Sequence, residues 1–327
     1  MFKYVDCIDA GTEFCPCSLA ERGECIICSQ LRDKKFCDCL NWKGTCIYQD
    51  YIWNMEKAKK SREYKEFAVL NKEILREDLF ILKIKVNNYL ARELSEFGAY
   101  VFMKRPEDIE AYGVPISILD SDIVENIITV AIKVEGAKTK ALKIVDKTVL
   151  IKGPFYNGIQ GVNNLKSLNE GTCLILGRGV GTAPAVLAAK KLIYKNNNIV
   201  ILLDKGREKE NYSKKYFKNL GCNEIEDVRF LNENKKLLEE TKIKIKKLLE
   251  NKKIDVVLSA GSDSFHREVL TYIYNLDKRI RFSTINNTTI CCGEGLCGSC
   301  HIKLENGQVI RSCKQQYNPA EVFVRER

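Results

Sequence analysis

The sequence predicts an α/β protein that also carries a β-barrel: a small antiparallel barrel, then a parallel-sheet domain, with a cysteine-rich segment before them and a cysteine loop after them. Three observations lead there. Short apolar runs between residues 67 and 152 alternate at the two-residue period of half-buried strands, with no long helix between them. From about Gly171 the rhythm becomes strand, glycine turn, helix, the pattern of a parallel sheet. Of fifteen cysteines, eight lie in the first 46 residues and five between 291 and 313, leaving only Cys173 and Cys222 elsewhere.

In chain order, residues 1–50 form the cysteine-rich segment, and it is internally duplicated. Cys7, Cys15, Cys17 and Cys25 make the first unit; Cys28, Cys37, Cys39 and Cys46 make the second. The flanks repeat too, with Phe14-Cys15-Pro16-Cys17 against Phe36-Cys37-Asp38-Cys39. Two sets of four soft ligands suggest two tetrathiolate sites, with zinc and [4Fe–4S] both compatible with four sulfurs. So short and polar a segment needs metal staples to fold. Fifteen cysteines in a chain read as cytoplasmic argue for metal or redox work over disulfides.

After a charged linker at residues 56–66, the barrel is expected over 62–162. Its strands fall at 67–74, 79–86, 99–104, 116–120, 127–134 and 148–152. In the second of these, Leu79, Ile81, Lys83 and Lys85 alternate with Phe80, Leu82, Ile84 and Val86. The parallel-sheet domain is expected over 165–285. There Cys173–Leu176 runs into Gly177-Arg178-Gly179-Val180-Gly181-Thr182-Ala183-Pro184 and then an alanine-rich helix. A glycine turn between strand and helix lets backbone N–H groups hold a pyrophosphate. Pro184 suits the first helical turn, where its missing N–H costs nothing. Further strands are expected at 199–203, ending in Asp204, and at 255–259, followed by Ala260-Gly261-Ser262. Asp204 is a candidate for the ribose hydroxyls, and Arg207 keeps NADP open beside NAD.

Residues 286–327 carry Cys292-x4-Cys297-x2-Cys300-x12-Cys313. Three thiolates on one glycine-rich loop and a fourth farther on form the ligand pattern of a plant-type [2Fe–2S] cluster. The glycines permit the positive φ and close backbone approach that bring N–H groups to the sulfurs. Zinc sites more often use two separate C-x2-C pairs. Cys291 is left out of the set.

The formal charge is +10 with cysteines counted as neutral. Twelve thiolate ligands would contribute about −12 before their metals are counted. Many lysines fall on one amphipathic helix expected over 233–253, and no aromatic and basic stripe is present, so no nucleic-acid role is read. No apolar run reaches membrane-spanning length and no secretory segment opens the sequence, so a cytoplasmic protein off the membrane is expected.

From about residue 64 to 315 the order of these parts resembles the electron-transfer subunit of two-subunit dihydroorotate dehydrogenase, in the ferredoxin–NADP reductase superfamily. The family's R-P-x-S flavin segment reads Val114-Pro115-Ile116-Ser117, with Val114 where the family has arginine. Its G-x-G-T-x-x-L helix start reads Gly136-Ala137-Lys138-Thr139-Lys140-Ala141-Leu142, with Lys138 in place of a glycine. Arg105 and Lys138 are the candidates to restore the missing positive charge. The G-P-L-G-N-G-F segment reads Gly153-Pro154-Phe155-Tyr156-Asn157-Gly158-Ile159, and the G-G-G-I-G-x-A-P loop spans Gly177 to Pro184. The later G-P motif near the nicotinamide reads Gly261-Ser262.

The resemblance implies a ferredoxin-reductase-like flavin barrel followed by a nucleotide domain. FAD would lie on Pro115, Ser117, Lys138, Thr139, Gly153, Pro154 and Gly158. NAD or NADP would lie on Gly177, Gly179, Gly181, Pro184, Asp204 and Gly261. It further implies an oxidoreductase that passes electrons to a partner subunit, of the dihydroorotate dehydrogenase kind (hence pyrimidine biosynthesis) or another. The N-terminal repeat lies outside the resemblance. His266 and His301, the only histidines, form no acid–base constellation, so no catalytic side chain is assigned. The altered flavin motifs leave a rival, a non-enzymatic metal-binding sensor or interaction module on the same fold.

Overall fold

The computed structural model describes residues 6–37, 44–204, 211–304 and 307–324. Cys39 and Arg207, named above, lie outside them. The described chain forms two compact units. One combines the residues up to Tyr64 with Thr288–Tyr317; the other runs from Lys65 to Asn287 and takes in the residues from Asn318.

The first unit has little regular structure before residue 60: helix α1 (Ser18–Glu21), a single 3-10 turn at Gln30–Arg32, and helix α2 (Ile47–Trp53). Ala20, Cys25, Cys28, Leu31 and Ile47 form its small buried core. Two of the five core residues are cysteines, so packing and sulfur chemistry share one space.

The second unit opens with the barrel. Strands β1 (Tyr64–Arg76) and β2 (Leu79–Lys85) are followed by helix α3 (Asn88–Glu93) and strands β3 (Tyr100–Lys104), β4 (Val114–Asp122) and β5 (Ile127–Lys133). Helix α4 (Ala137–Leu142) leads to β6 (Thr148–Phe155). The six strands close in the order β1-β2-β5-β4-β3-β6, all antiparallel, as the alternation predicts. Phe80, Leu82, Ile84, Val101, Met103, Ile116, Ile118, Val130 and Ile132 point into one core.

The strict alternation expected in β2 holds only toward its end. Lys83 and Lys85 are exposed, but Leu79 and Ile81 are buried although they face away from the barrel interior. Ile81, with Leu119 and Ala131, belongs to the core of the following α/β half. The outside of the barrel is therefore covered on that side, and a period-two reading cannot anticipate a strand with two dry faces.

Strand β7 (Ile159–Gln160) and helix α5 (Val162–Lys166) lead into β8 (Thr172–Arg178), helix α6 (Ala183–Tyr194) and β9 (Asn198–Asp204). Helix α7 (Lys214–Asn219), β10 (Glu224–Val228), helix α8 (Glu239–Asn251), β11 (Val256–Ala260), helix α9 (Asp263–Leu276), β12 (Arg281–Ile285) and helix α10 (Pro319–Phe323) complete it. The sheet order is β10-β9-β8-β11-β12-β7, with β7 the one antiparallel member. Helix α6 buries Ala183 through Ala189 without interruption. A helix apolar on every side must be enclosed, and α6 lies against β4 of the barrel as well as β9 and β11 of the sheet. Lys190 and Lys191 extend from it to Asp120 and Glu96 of the barrel.

Helix α8 begins at Glu239, not near residue 233. Asn232 receives the Lys236 N–H, Lys235 adopts φ of 57°, and Leu231 bridges to Leu237. An asparagine competing for local backbone N–H groups makes a turn there and delays the helix.

The last strands, β13 (His301–Lys303) and β14 (Val309–Arg311), form a hairpin in the first unit, pairing His301 with Arg311. No helix among the described residues is long and apolar enough to cross a membrane.

Candidate functional site

On the barrel, Pro115 and Ser117 alternate with buried Ile116 and Ile118, so both face outward and are half-buried. Register places Pro115 opposite Phe102 and Ser117 opposite Tyr100. The Lys138 ammonium reaches the Gly113 carbonyl at 3.2 Å, which brings a cation to the start of the Val114–Ser117 segment. Above Gly136 a Cβ would meet nothing within 4 Å, so the backbone there is open to a ligand. Thr139 has another duty. Its Oγ1 accepts the N–H groups of Glu135 and Gly136, capping α4.

Arg105 does not reach this face. The insert that holds it folds on itself, and its guanidinium pairs with Asp108 at 2.6 Å and Glu107 at 3.0 Å. Of the two candidate cations, Lys138 alone lies at this face.

Gly153 and Pro154 end β6 through a cis peptide. A Cβ on Gly153 would stand 2.9 Å from Val101 Cγ1, and one on Gly158 would stand 2.6 Å from the Gly98 carbonyl. Gly158 donates to that carbonyl at 2.9 Å and accepts from the Asn286 N–H at 2.9 Å. The segment thus ties the barrel to the edge of the parallel sheet.

The glycine turn follows β8 and opens α6. Gly177 is packed tightly, since a Cβ would meet Thr182 Cγ2 at 2.7 Å and Leu203 Cδ2 at 2.8 Å. Gly179 has φ of 63° with nothing within 4 Å of a Cβ, so its backbone is exposed where a phosphate would approach. A Cβ on Gly181 would lie 2.6 Å from Ile285 and 3.4 Å from the Gly261 nitrogen. The turn and the end of β11 are therefore in direct contact, at the carboxyl edge where parallel sheets take their ligands. Pro184 lies in the first turn of α6 and is buried.

Asp204 is 3% exposed. Its Oδ2 accepts the Phe230 N–H at 3.1 Å and pairs with Arg178 Nε at 3.3 Å. The group presented toward solvent at the strand end is Arg178, the second residue of the glycine turn. Its one signal in the sequence is a charged residue inside a run of glycines. Arg178, Asp204 and Arg229 line a hollow of about 350 Å³ with Asn232 and Lys235.

At the end of β11 the Gly261 carbonyl accepts from Asn287 Nδ2 at 2.7 Å, and Ser262 caps α9. Asn287 Nδ2 also lies 3.1 Å from His266 Nε2, while His266 Nδ1 lies 2.8 Å from Ser259 Oγ. Burial pushes this imidazole down to about 3, so it is neutral and accepts at Nε2. His266 is thus a strut under the Gly261 turn.

In the other unit, the tail cysteines form one set. Gly293, Gly295 and Gly298 all have φ between 71° and 78°. The Glu294 N–H points to Cys292 Sγ at 3.3 Å, and the β13–β14 hairpin returns the chain so that Cys313 Sγ lies 3.2 Å from Cys300 Sγ. Cys313 and Cys292 are electrostatic neighbours, as are Cys297 and Cys292. Cys300 and Cys313 are buried and Cys297 is exposed. The thiol of Cys300 is pulled down to about 6 beside Cys313, whose own is pushed up. Thiols beside a loop of positive-φ glycines, with an N–H aimed at one sulfur, are donors of the kind a two-iron cluster takes, but as they stand no three of them converge on one ion position.

The N-terminal cysteines divide differently. Cys7, Cys15, Cys17 and Cys25 line a single hollow with Phe14, Leu19, Ile26, Ile27 and Ile47. Of the second unit, Cys28 is buried with its N–H 3.4 Å from Cys25 Sγ, Cys46 precedes α2, and Cys37 is exposed. Among the described residues no three His, Cys, Asp or Glu side chains converge on one ion position. None of the described cysteines is in a disulfide.

Both cysteine-bearing segments meet on a buried charge network that neither segment's spacing predicts. Lys314 Nζ lies 2.5 Å from Asp9 and 2.7 Å from Glu294, and Arg62 pairs with the same two at 2.9 and 3.2 Å. The Arg62 guanidinium also covers the Phe14 ring at 3.7 Å. Lys314 is fully buried, and its ammonium is held well above the usual lysine range by the two carboxylates.

No family model matches the chain. It is 26% identical over 142 residues to the electron transfer subunit of dihydroorotate dehydrogenase B (NAD(+)) from Fusobacterium nucleatum, a match to 42% of this chain. The chain thus spans about half, 54%, of the length of that curated relative. Among solved structures it is similar to an NADH-dependent reduced ferredoxin–NADP oxidoreductase studied for flavin-based electron bifurcation. The TM-score is 0.63 at 20% identity, over 78% of this chain and 88% of that one. It is also similar to ferredoxin–NADP+ reductase from Plasmodium falciparum, with a TM-score of 0.50 at 15% identity over 67% of this chain and 95% of that one. The fold is ferredoxin-reductase-like: a closed six-stranded antiparallel barrel followed by a largely parallel sheet.

Proposed function

We propose that the chain is an oxidoreductase of the electron-transfer kind, binding FAD on the barrel, NAD(P)H on the glycine turn and a [2Fe–2S] cluster on Cys292, Cys297, Cys300 and Cys313. The observation that carries the reading is the meeting of the Gly177–Pro184 turn with Gly261 at the carboxyl ends of β8 and β11, in the same unit as the Pro115–Ser117 face. A hydride donor, a flavin that splits an electron pair, and a one-electron cluster supply the redox chemistry when bound.

The side chains supply everything else. Gly179 leaves the backbone N–H groups of the turn bare for a pyrophosphate, at the start of the twelve-residue helix α6. Gly261, braced by Asn287, sets the floor beside it. Lys138 provides the positive charge that Val114 does not, near the outward face of β4. In the other unit, the Glu294 N–H stabilises charge on Cys292. No described side chain in these places is poised as an acid or base, so proton handling is left to the bound groups. A [2Fe–2S] group on these cysteines would supply one-electron chemistry, and a partner subunit would be its outlet, in keeping with the subunit role of the curated relative.

The test is the absorption spectrum of the anaerobically purified full chain. Flavin bands that bleach with NADH or NADPH, followed by reduction of a one-electron dye, are expected. A colourless protein, or a flavin untouched by both nucleotides, would overturn the reading in favour of a metal-binding module.

A further inference from the structure

We propose that the hollow beside the glycine turn selects a dinucleotide with a phosphate on its adenosine ribose, NADP(H) over NAD(H), through Arg178 and Arg229; this rests on the nucleotide reading above. Neighbouring parallel strands deliver the parts. Arg178 at the end of β8 is in register with Asp204 at the end of β9, and Asp204 with Val228 at the end of β10, so Arg229 follows one residue beyond. Arg178 also directly precedes Gly179, whose backbone is open. The N–H groups that would face a pyrophosphate and the cations that would face a ribose substituent therefore lie side by side on one edge of the sheet.

The discriminating observation is the state of Asp204. A strand-end carboxylate selects NAD(H) when it can accept from the ribose hydroxyls, and there it repels a phosphate. Asp204 is committed elsewhere. It is 3% exposed, its Oδ2 accepts the Phe230 N–H at 3.1 Å, and it pairs with Arg178 at 3.3 Å. Its carbonyl accepts from Asn211 Nδ2 at 3.0 Å. The carboxylate thus serves as a buried bracket for Arg178. That pairing is made through Nε, and 37% of the Arg178 side chain stays exposed. A guanidinium has five donors, so it can meet a second anion without giving up the first.

The hollow measures about 350 Å³, within the span of about 300–1,000 Å³ usual for ligand sites. Its walls carry Arg178, Arg229 and Lys235 against Asp204 and Glu233, with Asn232 as a neutral donor. With Asp204 taken up by Arg178, Arg229 and Lys235 are set against Glu233, which is exposed on the outer turn. The balance is positive, which suits a phosphate dianion. The backbones that bear the two cations are pinned. The Arg229 carbonyl accepts from Oγ1 of the buried Thr241 at 2.7 Å, and Lys235, at φ of 57°, donates its N–H to the Asn232 carbonyl at 3.0 Å.

The experiment is calorimetric titration of the full chain with NADPH and NADH, and with the fragments 2′,5′-ADP and 5′-AMP, none of which requires turnover. NADPH and 2′,5′-ADP should bind at least about tenfold more tightly than their counterparts without the phosphate, the effect of one charge-assisted hydrogen bond. Arg229→Ala, at an exposed position, should cut that ratio about tenfold. Arg178→Met should cut it as well; because it also strips Asp204 of its cation, Arg229→Ala decides the matter should the Arg178 variant not accumulate. Equal or tighter binding of NADH and 5′-AMP, or a ratio that Arg229→Ala leaves untouched, would overturn the proposal while the nucleotide reading stands. Were neither NADPH nor NADH to bind, the nucleotide reading itself would fall, and this proposal with it.

Discussion

Acidification should loosen the α/β half through a single imidazole. His266 is fully buried between Ser259, Asn287 and the rings of Phe265 and Phe323. Its neutral form suits the site, because Asn287 donates to Nε2; a proton there would set two donors against each other. The folded-state value is pushed down to about 3 from an ordinary 6.5. Since the folded value is depressed and the group is a base, its stabilising effect is whole above 6.5 and is lost as pH falls from 6.5 toward 3. With 1.36 kcal/mol per pH unit, the loss at about pH 5 is about 2 kcal/mol, and it approaches 4–5 kcal/mol near the lower limit. Urea unfolding of the full chain and of His266→Gln, at about pH 7.5 and about pH 5, isolates the term. The unaltered protein should lose about 2 kcal/mol more than the variant between the two conditions. An equal pH effect in both would refute the assignment of His266 as a neutral strut. The same titration should weaken NAD(P)H binding, because Asn287 also holds the Gly261 carbonyl.

Three other outcomes are expected. Lys314→Met leaves Asp9 and Glu294 with Arg62 as their one remaining partner in this network, and should destabilise the first unit by about 3–5 kcal/mol; restoration of part of the melting temperature by adding Asp9→Asn would confirm the cause. Gly181→Ala forces a Cβ against Ile285 at 2.6 Å, so about 1–3 kcal/mol of overpacking should appear as a raised KM for NAD(P)H with flavin content unchanged. Lys138→Ala removes the cation near Gly113 and should lower FAD affinity roughly tenfold, the effect of one charge-assisted hydrogen bond, measured by flavin retention on gel filtration.

The barrel was readable because each strand carries its own signal. Lys83 and Lys85 turn outward while Phe80, Leu82 and Ile84 turn inward, and that pattern needs no knowledge of distant residues. The same strand shows the limit: Ile81 is buried by residues of the α/β half, far along the chain. The glycine turn was legible from local sequence, but Arg178 was not, since its role depends on Asp204 arriving from the neighbouring strand. Strands β10 and β12 went unforeseen. Three of the five residues in β10 are acidic, and β12 buries Ser283 and Thr284; neither reads as an apolar run. Least legible was the joining of the two cysteine segments. Arg62 and Glu294 are 232 positions apart, and Lys314 and Asp9 are 305 apart; spacing rules act within a few dozen residues and are blind to such pairings.

The pairing of Asp9 and Arg62 with Glu294 and Lys314 has a temporal consequence. A ribosome releases the early cysteines long before it makes the hairpin that completes their surroundings, and the whole Lys65–Asn287 unit emerges in between. Throughout that interval Asp9 and Arg62 lack half their counter-ions, and the hollow of Cys7, Cys15, Cys17 and Cys25 lacks its neighbouring strand of protein. The charge network of the first unit is therefore completed only after Glu294 and Lys314 have been made, and until then the early thiols stay more open to oxidants.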